Sequence, residues 1–127
     1  MADLPPESAH AAFLERFRAR DLDGIVALYA EQASFVGFDG TVVTGRAAVR
    51  DAFAALFAQI GERCEVALTT RYAIANGDIA LLSNTWRISG TAADGSTLDL
   101  GGQTTEVVRR QADGRWLYVI DHPFGGQ

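Results

Sequence analysis

The stretch that decides the fold is residues 62–122, ERCEVALTTRYAIANGDIALLSNTWRISGTAADGSTLDLGGQTTEVVRRQADGRWLYVIDH. Three Asx-Gly dipeptides divide it, and such pairs favour the tight turns that join antiparallel strands. The segments between these dipeptides alternate between apolar and polar side chains, as strands with one buried face do. The stretch therefore predicts a meander of four long strands. The turns are at residues 76–77, 94–95 and 113–114, and the strands at 62–75, 78–91, 97–111 and 115–122.

The chain before this stretch predicts three helices and one hairpin. Two prolines before Glu7 are typical of a helix start, and apolar residues then recur at helical spacing. An Asp39-Gly40 turn between two short β-type runs predicts the hairpin, which must join the same sheet because two isolated strands are only marginally stable. The second and third helices are predicted at residues 22–29 and 47–60, and the hairpin strands at 33–38 and 41–44.

Together these elements predict an α+β fold with three helices on one face of a strongly curved, mainly antiparallel six-stranded sheet. The chain has 127 residues, the size of one domain, so residues 1–127 are expected to form a single domain. Such a sheet leaves an interior too wide to be filled everywhere, and we expect one interior pocket there.

Charge and composition exclude several classes of partner. The net charge is −5 and all eleven basic residues are arginine, without a basic stripe, so neither nucleic acid nor an anionic membrane surface is an expected partner. The N-terminal residues carry no signal-peptide pattern, and we expect a cytoplasmic protein. One cysteine and two histidines in no metal-binding motif predict neither a disulfide nor a metal site, and no cofactor is expected.

Three phrases of the sequence resemble the NTF2-like superfamily, whose fold is a cone-shaped α+β structure. Residues 21–30, DLDGIVALYA, resemble the second helix of the bacterial ketosteroid isomerases. Residues 113–116, DGRW, look like the SnoaL-like and DUF4440 branches, and residues 119–125, VIDHPFG, are similar to the YybH-type group. The resemblance implies a fold, but not a reaction, because one superfold carries many chemistries.

The isomerase resemblance does not extend to the catalytic residues. It places the general base at Gly37 and the oxyanion-binding tyrosine at Phe13, and neither residue can perform that role. The third isomerase position, an acid in the oxyanion hole, falls near Glu106. Ketosteroid isomerisation by that mechanism is therefore not expected.

Asp121 is the first candidate for a catalytic residue. Strand alternation puts it on the face of Leu117 and Val119, and the resemblance implies that this face lines the pocket. A carboxylate among apolar neighbours is desolvated, which raises its pKa towards the range useful for acid/base chemistry. The alternative is a carboxylate that anchors the strand end through backbone amides or an arginine.

Glu106 is the second candidate, because in the same pocket it and Asp121 could divide the acid and base roles. The alternative for Glu106 is a cross-strand pair with an arginine. Asn84 and Trp86 occupy alternate positions on one strand and could bind a planar, carbonyl-bearing ligand, or could be a satisfied amide and a core indole. The remaining predicted ligand-binding residues are Phe13, Phe17, Tyr29, Thr104 and Val119.

Two histidines and one sheet face complete the predictions. His10 on the first helix is expected to face solvent, and His122 to point away from Asp121. Trp116, Tyr118 and Ile120 are expected on the outer sheet face, where a homodimer would cover them.

The leading hypothesis is a SnoaL-like domain that binds a small apolar, carbonyl-bearing molecule and transfers protons through Asp121 and Glu106. The other hypothesis is a ligand-binding or dimerisation module without catalysis.

Overall fold

The structure is a computed structural model that describes residues 4–126. Its helices are α1 (Ser8–Arg18), α2 (Leu22–Val26) and α3 (Arg46–Gln59). Its strands are β1 (Tyr29–Val36), β2 (Val42–Thr44), β3 (Glu65–Asn76), β4 (Ile79–Thr91), β5 (Thr97–Gln103), β6 (Thr105–Arg110) and β7 (Trp116–His122). The three predicted helices and the four-strand meander are therefore present, with ends that differ by a few residues from the predicted ones.

The strands form one mixed sheet in the order β2-β1-β7-β6-β4-β3, with β5 paired to the second half of β4. The β1–β7 pair is parallel and every other pair between these strands is antiparallel. The parallel pair arises because β1 of the first hairpin pairs with β7, which is the last strand of the meander. The second helix ends at Val26 instead of the predicted residue 29, since Leu28 and Tyr29 already belong to the β1–β7 ladder, where Tyr118 N–H donates to Leu28 C=O.

The prediction of six strands is wrong, because within residues 4–126 the sheet has seven. Thr104 divides the long predicted strand 97–111 into β5 and β6. Its hydroxyl accepts from the backbone N–H of Asn84 at 2.9 Å, and its carbonyl accepts from the hydroxyl of Ser83 at 2.5 Å. Side chains thus replace backbone groups in the β4 ladder at this point, and the regular strand is interrupted.

A bulge in β7 changes which of its side chains face the helices. Val107 pairs with Ile120 but Val108 pairs with Tyr118, so Val119 is an extra residue in β7. Tyr118 and Asp121 consequently lie on the same face despite their odd spacing. The predicted alternation, which grouped Asp121 with Leu117 and Val119, is wrong for this reason.

The predicted outer patch is wrong for two of its three members. Trp116 and Tyr118 are only 4% and 2% exposed, because both side chains point towards the helices. Ile120 is 45% exposed and lies on the outer face as predicted. A row of apolar side chains crosses the outer face through direct cross-strand pairs, and we call it the outer row. Its members are Ile74, Leu81, Val107 and Ile120.

The core lies between the helices and the inner face of the sheet, where buried aromatic residues from α1, α3, β1, β4 and β7 meet. Arg20 links two helices by donating to the carbonyls of Phe57 and Ile60 at 2.6 and 3.0 Å, which satisfies carbonyl groups at the end of α3. Within residues 4–126, no helix is long and apolar enough to cross a membrane.

Candidate active site

A cavity lies between α1, α3 and the inner face of the sheet. Its volume is about 60 Å³. We call it the aromatic cavity, because seven of its lining side chains are Phe, Tyr or Trp. The lining consists of Phe13, Phe17, Phe35, Phe38, Phe53, Leu56, Val66, Leu68, Asn84, Trp86, Ile88, Thr104, Glu106, Tyr118, Asp121 and Pro123.

Most of the cavity wall is built from aromatic rings in mutual contact. The ring of Phe53 lies 5.6 Å from that of Phe13 and 5.4 Å from that of Phe35, both in tilted arrangements. Phe13 also meets Tyr118 edge to face at 6.3 Å. Such pairs are favourable beyond the area they bury. A flat apolar molecule against this wall would therefore meet aromatic rings and no charged group.

Asp121 is a buried acid at the polar end of the cavity. Its side chain accepts a hydrogen bond of 2.5 Å from the hydroxyl of Tyr29, and its residue pairs directly with Glu106 on β6. Burial, followed by the charge of Glu106, raises the pKa of Asp121 to about 8, while the hydrogen bond from Tyr29 acts in the opposite direction. Asp121 is therefore mainly protonated at neutral pH.

Glu106 lies beside Asp121 and has a partner on each carboxylate oxygen. Its Oε1 lies 3.0 Å from Nε2 of His10, and its Oε2 accepts from Nδ2 of Asn84 at 3.0 Å. Nδ1 of His10 lies 2.9 Å from the hydroxyl of Thr70. Glu106 and His10 are 3% and 2% exposed, so these bonds are closed to water. The alternative of a cross-strand arginine pair for Glu106 is not formed among the described residues, since Glu106 lies against His10 instead.

The prediction that His10 faces solvent is wrong, and the sequence contained a signal for its burial. His10, Phe13 and Phe17 are spaced i, i+3, i+7, which places them on one face of α1. Phe13 and Phe17 line the aromatic cavity, and His10 points to the same side. From the sequence alone, the polarity of histidine predicts an exposed side chain. The partners that allow its burial lie on other elements and cannot be identified from the helix.

Asn84 and Trp86 both line the cavity, but their hydrogen-bonding groups are differently engaged. The indole N–H of Trp86 donates to the carbonyl of Pro123 at 2.8 Å, so this donor is already used inside the protein. Nδ2 of Asn84 donates to Glu106, while its Oδ1 is buried without a hydrogen-bond partner among the described residues. Thr104 lines the cavity next to Asn84 and accepts from its backbone N–H.

Two of the predicted ligand-binding residues are placed differently from the others. Tyr29 is fully buried and reaches the site through its hydroxyl on Asp121, not through the cavity wall. Val119, the bulge residue of β7, is half-buried and is not part of the cavity lining among the described residues. Gly37 lies in the turn after β1, also outside that lining, whereas Phe13 is part of it.

The electrostatics of the cavity are dominated by its two acids. Within residues 4–126 the lining contains no arginine, and no group of three or more His, Cys, Asp or Glu is arranged to hold a metal ion. Burial and the charge of Asp121 raise the pKa of Tyr29 well above its ordinary value, and burial and Glu106 do the same for Tyr118. Both phenols therefore stay protonated, and each can donate one hydrogen bond as well as accept.

The chain belongs to the SnoaL-like domain family, which residues 10–119 match. No curated protein sequence matches it. Its fold is that of the NTF2-like proteins, with a mixed, mostly antiparallel sheet and three helices.

Among solved structures the chain is similar to a ketosteroid isomerase-like protein from Erwinia carotovora atroseptica, with TM-score 0.79, 19% identity and coverage of 92% of this chain and 90% of the other. It is also similar to a proposed dehydratase of the NTF2-like family from Streptomyces avermitilis, with TM-score 0.72, 25% identity and coverage of 90% and 88%. A third is a proposed calcium/calmodulin-dependent protein kinase type II association domain from Thiobacillus denitrificans, with TM-score 0.77, 27% identity and full coverage of both chains. These names span an isomerase-like protein, a dehydratase and an association domain, so they agree on fold and differ on activity.

Proposed function

We propose that this protein binds a small apolar, carbonyl-bearing molecule in the aromatic cavity and transfers a proton to it from Asp121. One observation carries the proposal. A carboxyl group that is protonated at neutral pH lies at the polar end of a cavity whose other walls are mostly aromatic and aliphatic. A buried group with a shifted pKa inside a cleft is the usual signature of an acid/base residue.

The proposed chemistry follows from the free side of the Asp121 carboxyl group. Tyr29 donates to Oδ2, which leaves Oδ1 to carry the proton and to donate it towards a ligand carbonyl oxygen. Withdrawal of electrons from that carbonyl acidifies the neighbouring C–H bond, and the carboxylate formed after proton transfer can act as a base. A pKa of about 8 suits both steps, because catalysis by an acid or base is most efficient near the working pH.

Glu106 has a different proposed role from that of a second acid or base. Both of its oxygens are engaged, by His10 and by Asn84, so neither is free to take a proton from a ligand. Burial, and after it the charge of Glu106, raises the pKa of the neighbouring Asp121. We assign the proton transfer to Asp121 and a contribution to its raised pKa to Glu106.

The first experiment measures binding and proton transfer with acetophenone, a small aromatic ketone with exchangeable α-protons. We expect acetophenone to bind the wild type, and we expect the protein to accelerate exchange of its methyl protons in D2O, followed by proton NMR. Asp121→Asn keeps the shape of the side chain and should abolish the acceleration while leaving binding within about threefold, since the amide still donates a hydrogen bond. Equal exchange rates in both proteins would contradict the assignment of Asp121.

The second candidate function is a binding module without catalysis. It is supported by the engagement of Glu106, which leaves the cavity one free carboxyl group instead of an acid and a separate base. In that case acetophenone binds but its α-protons exchange no faster than in buffer. Binding without exchange in the wild type would therefore select this function over the first.

We also propose that the outer row forms a homodimer interface. Ile74, Leu81 and Ile120 are 60%, 38% and 45% exposed, and they follow one another across the sheet with Val107. A contiguous apolar row on a sheet face is typical of an interface. Sedimentation equilibrium should give a dimer for the wild type and a monomer for Ile120→Arg. A wild type that sediments as a monomer would contradict the proposal.

A further inference from the structure

Asn84 has one hydrogen-bonding group that finds no partner among the described residues. The side chain is 3% exposed and lines the aromatic cavity beside Glu106 and Thr104. Its Nδ2 lies 3.0 Å from Oε2 of Glu106 and 3.3 Å from Nε2 of His10. Its Oδ1 is buried and makes no hydrogen bond within residues 4–126.

The carboxylate of Glu106 fixes which way the amide points. If the amide were turned over, Oδ1 would lie against Oε2 of Glu106, and two acceptors would face each other without a proton between them. The amide nitrogen therefore stays on the side of Glu106 and His10. The oxygen is the group left over, and the arrangement is unfavourable because a buried acceptor has lost its water.

This orientation changes what Asn84 can offer to a ligand. An amide with a free N–H would bind a carbonyl oxygen, but here the nitrogen is already engaged with Glu106. The remaining oxygen accepts only from an O–H or N–H group. A ligand donor that reaches Oδ1 displaces no water from it, since this oxygen is closed to solvent, although the surrounding side chains must give way.

The other cavity groups restrict the rest of the ligand. The lining contains aromatic rings and two acids and, within the described residues, no arginine that would balance an anion. A carboxylate or phosphate ligand would therefore meet Glu106 with like charge and without a counter-ion. The cavity fits an uncharged ring compound whose polar groups lie at one edge.

We propose that Asn84 is a specificity-determining residue that selects ligands with a hydrogen-bond donor, so that the natural ligand is an uncharged hydroxy- or amino-substituted cyclic carbonyl compound. The inference rests on the proposed function, because it assumes that the aromatic cavity binds a carbonyl compound next to Asp121. It adds a second point of recognition, in which the ligand donates to Asn84 at one position and accepts from Asp121 at another.

The test compares acetophenone, its three hydroxy isomers and the methyl ether of the best-binding isomer by isothermal titration calorimetry. In the wild type the best hydroxy isomer should bind about tenfold more tightly than acetophenone or the methyl ether, which corresponds to about 1.4 kcal/mol for one satisfied acceptor. In Asn84→Leu, which keeps the side-chain volume without the amide, this preference should fall to within about twofold. Phe17→Leu is the matched control, because it alters the cavity wall and should weaken all the compounds alike.

Two outcomes overturn the inference while the proposed function stands. Either the wild type binds acetophenone and its hydroxy isomers equally well, or Asn84→Leu keeps the full preference for the hydroxy isomer. If none of the compounds binds the wild type, the proposed function and the inference both fail. Should Asn84→Leu not fold because Glu106 has lost a donor, the same comparison is made with Asn84→Ser, whose hydroxyl can donate to Glu106 and which carries no amide oxygen.

Discussion

The two ends of the aromatic cavity are built on different principles. At the apolar end, Phe13, Phe35 and Phe53 each contact several other rings, and every contact is weak and replaceable. At the polar end, Glu106 and Asp121 each depend on one or two specific partners that come from distant parts of the chain. Dispersion and burial add up gradually, whereas a buried charge or acceptor needs its partner in place. We therefore expect the polar end to be the sensitive one and the apolar end the tolerant one.

The largest expected effect is a pH dependence that arises at the polar end alone. The pKa of Asp121 is raised from an ordinary value of 3.8 to about 8, so between these values the folded state holds a proton that the unfolded state has lost. The stabilisation of the folded state by this proton is complete below pH 4 and is lost as the pH rises through about 8. At about 1.4 kcal/mol for each pH unit, the loss comes to about 6 kcal/mol across the window.

The measurement is urea denaturation of the wild type and Asp121→Asn from pH 4 to pH 9. Asn does not titrate, so the free energy of unfolding of the variant should rise relative to that of the wild type as the pH increases to about 8, and then stay constant. A difference between the two proteins that does not change with pH would mean that Asp121 titrates normally.

The second effect tests the apolar end at its centre. Phe53→Ala removes a side chain that is 3% exposed and contacts the rings of Phe13, Phe17, Tyr29, Phe35 and Phe38. We expect the free energy of unfolding to fall by about 4 kcal/mol, as large truncations in a core do. Phe38→Ala is the control, because this ring is 37% exposed and its loss should cost about 1 kcal/mol. Equal losses of unfolding free energy in the two variants would show that Phe53 contributes no more to packing than Phe38 does.

The third effect tests whether His10 and Glu106 contribute to stability only because each is the other's hydrogen-bond partner. His10→Leu leaves Glu106 with Asn84 as its remaining partner and should lower the free energy of unfolding by about 3 kcal/mol. His10→Leu/Glu106→Leu removes both partners and should recover most of that loss, because two apolar side chains need no pairing. A double variant as unstable as the single one would assign the loss to packing instead of to the unpaired charge.

The smallest effect concerns the phenol that adjusts Asp121. The hydrogen bond from Tyr29 lowers the pKa of Asp121 against the effect of burial, so Tyr29→Phe should raise this pKa further. The titration is followed by carbon-13 NMR of the labelled Asp121 carboxyl group, and the stability loss should be about 1 kcal/mol for one buried hydrogen bond. A pKa that falls or stays constant in Tyr29→Phe would contradict the assigned role of the hydroxyl.

The apolar end could largely be predicted from the sequence, and the polar end only in part. Phe13 and Phe17 follow from the helical period of α1, because periodicity depends only on the geometry of one element, whereas the inward direction of Trp86 follows from alternation in β4 together with the family resemblance. Glu106 and Asp121 were found as polar residues in apolar strands. His10 is predicted to face solvent, and Tyr29 is predicted as a ligand-binding residue but not as the partner of Asp121, because each meets its acid across 96 or 92 residues of chain.

The bulge at Val119 shows why alternation fails as soon as one residue is inserted. Counting by two from Asp121 leads to Val119 and Leu117, but the real neighbours on its face are Tyr118 and Trp116. The same insertion moved two aromatic side chains from the predicted outer patch into the core. Only the pairing with β6 determines where the extra residue sits, and nothing in the seven residues of β7 specifies it.

By itself the sequence determined the order of the elements apart from the break between β5 and β6, the apolar faces outside β7 and the two acids, because turn chemistry and periodicity are properties of neighbouring residues. Only the tertiary structure decided that the pKa of Asp121 is raised, that Glu106 is paired with His10, and that the oxygen of Asn84 has no partner among the described residues. These properties depend on desolvation and on groups from other elements within about 3 Å, and such contacts exist only after the chain has folded.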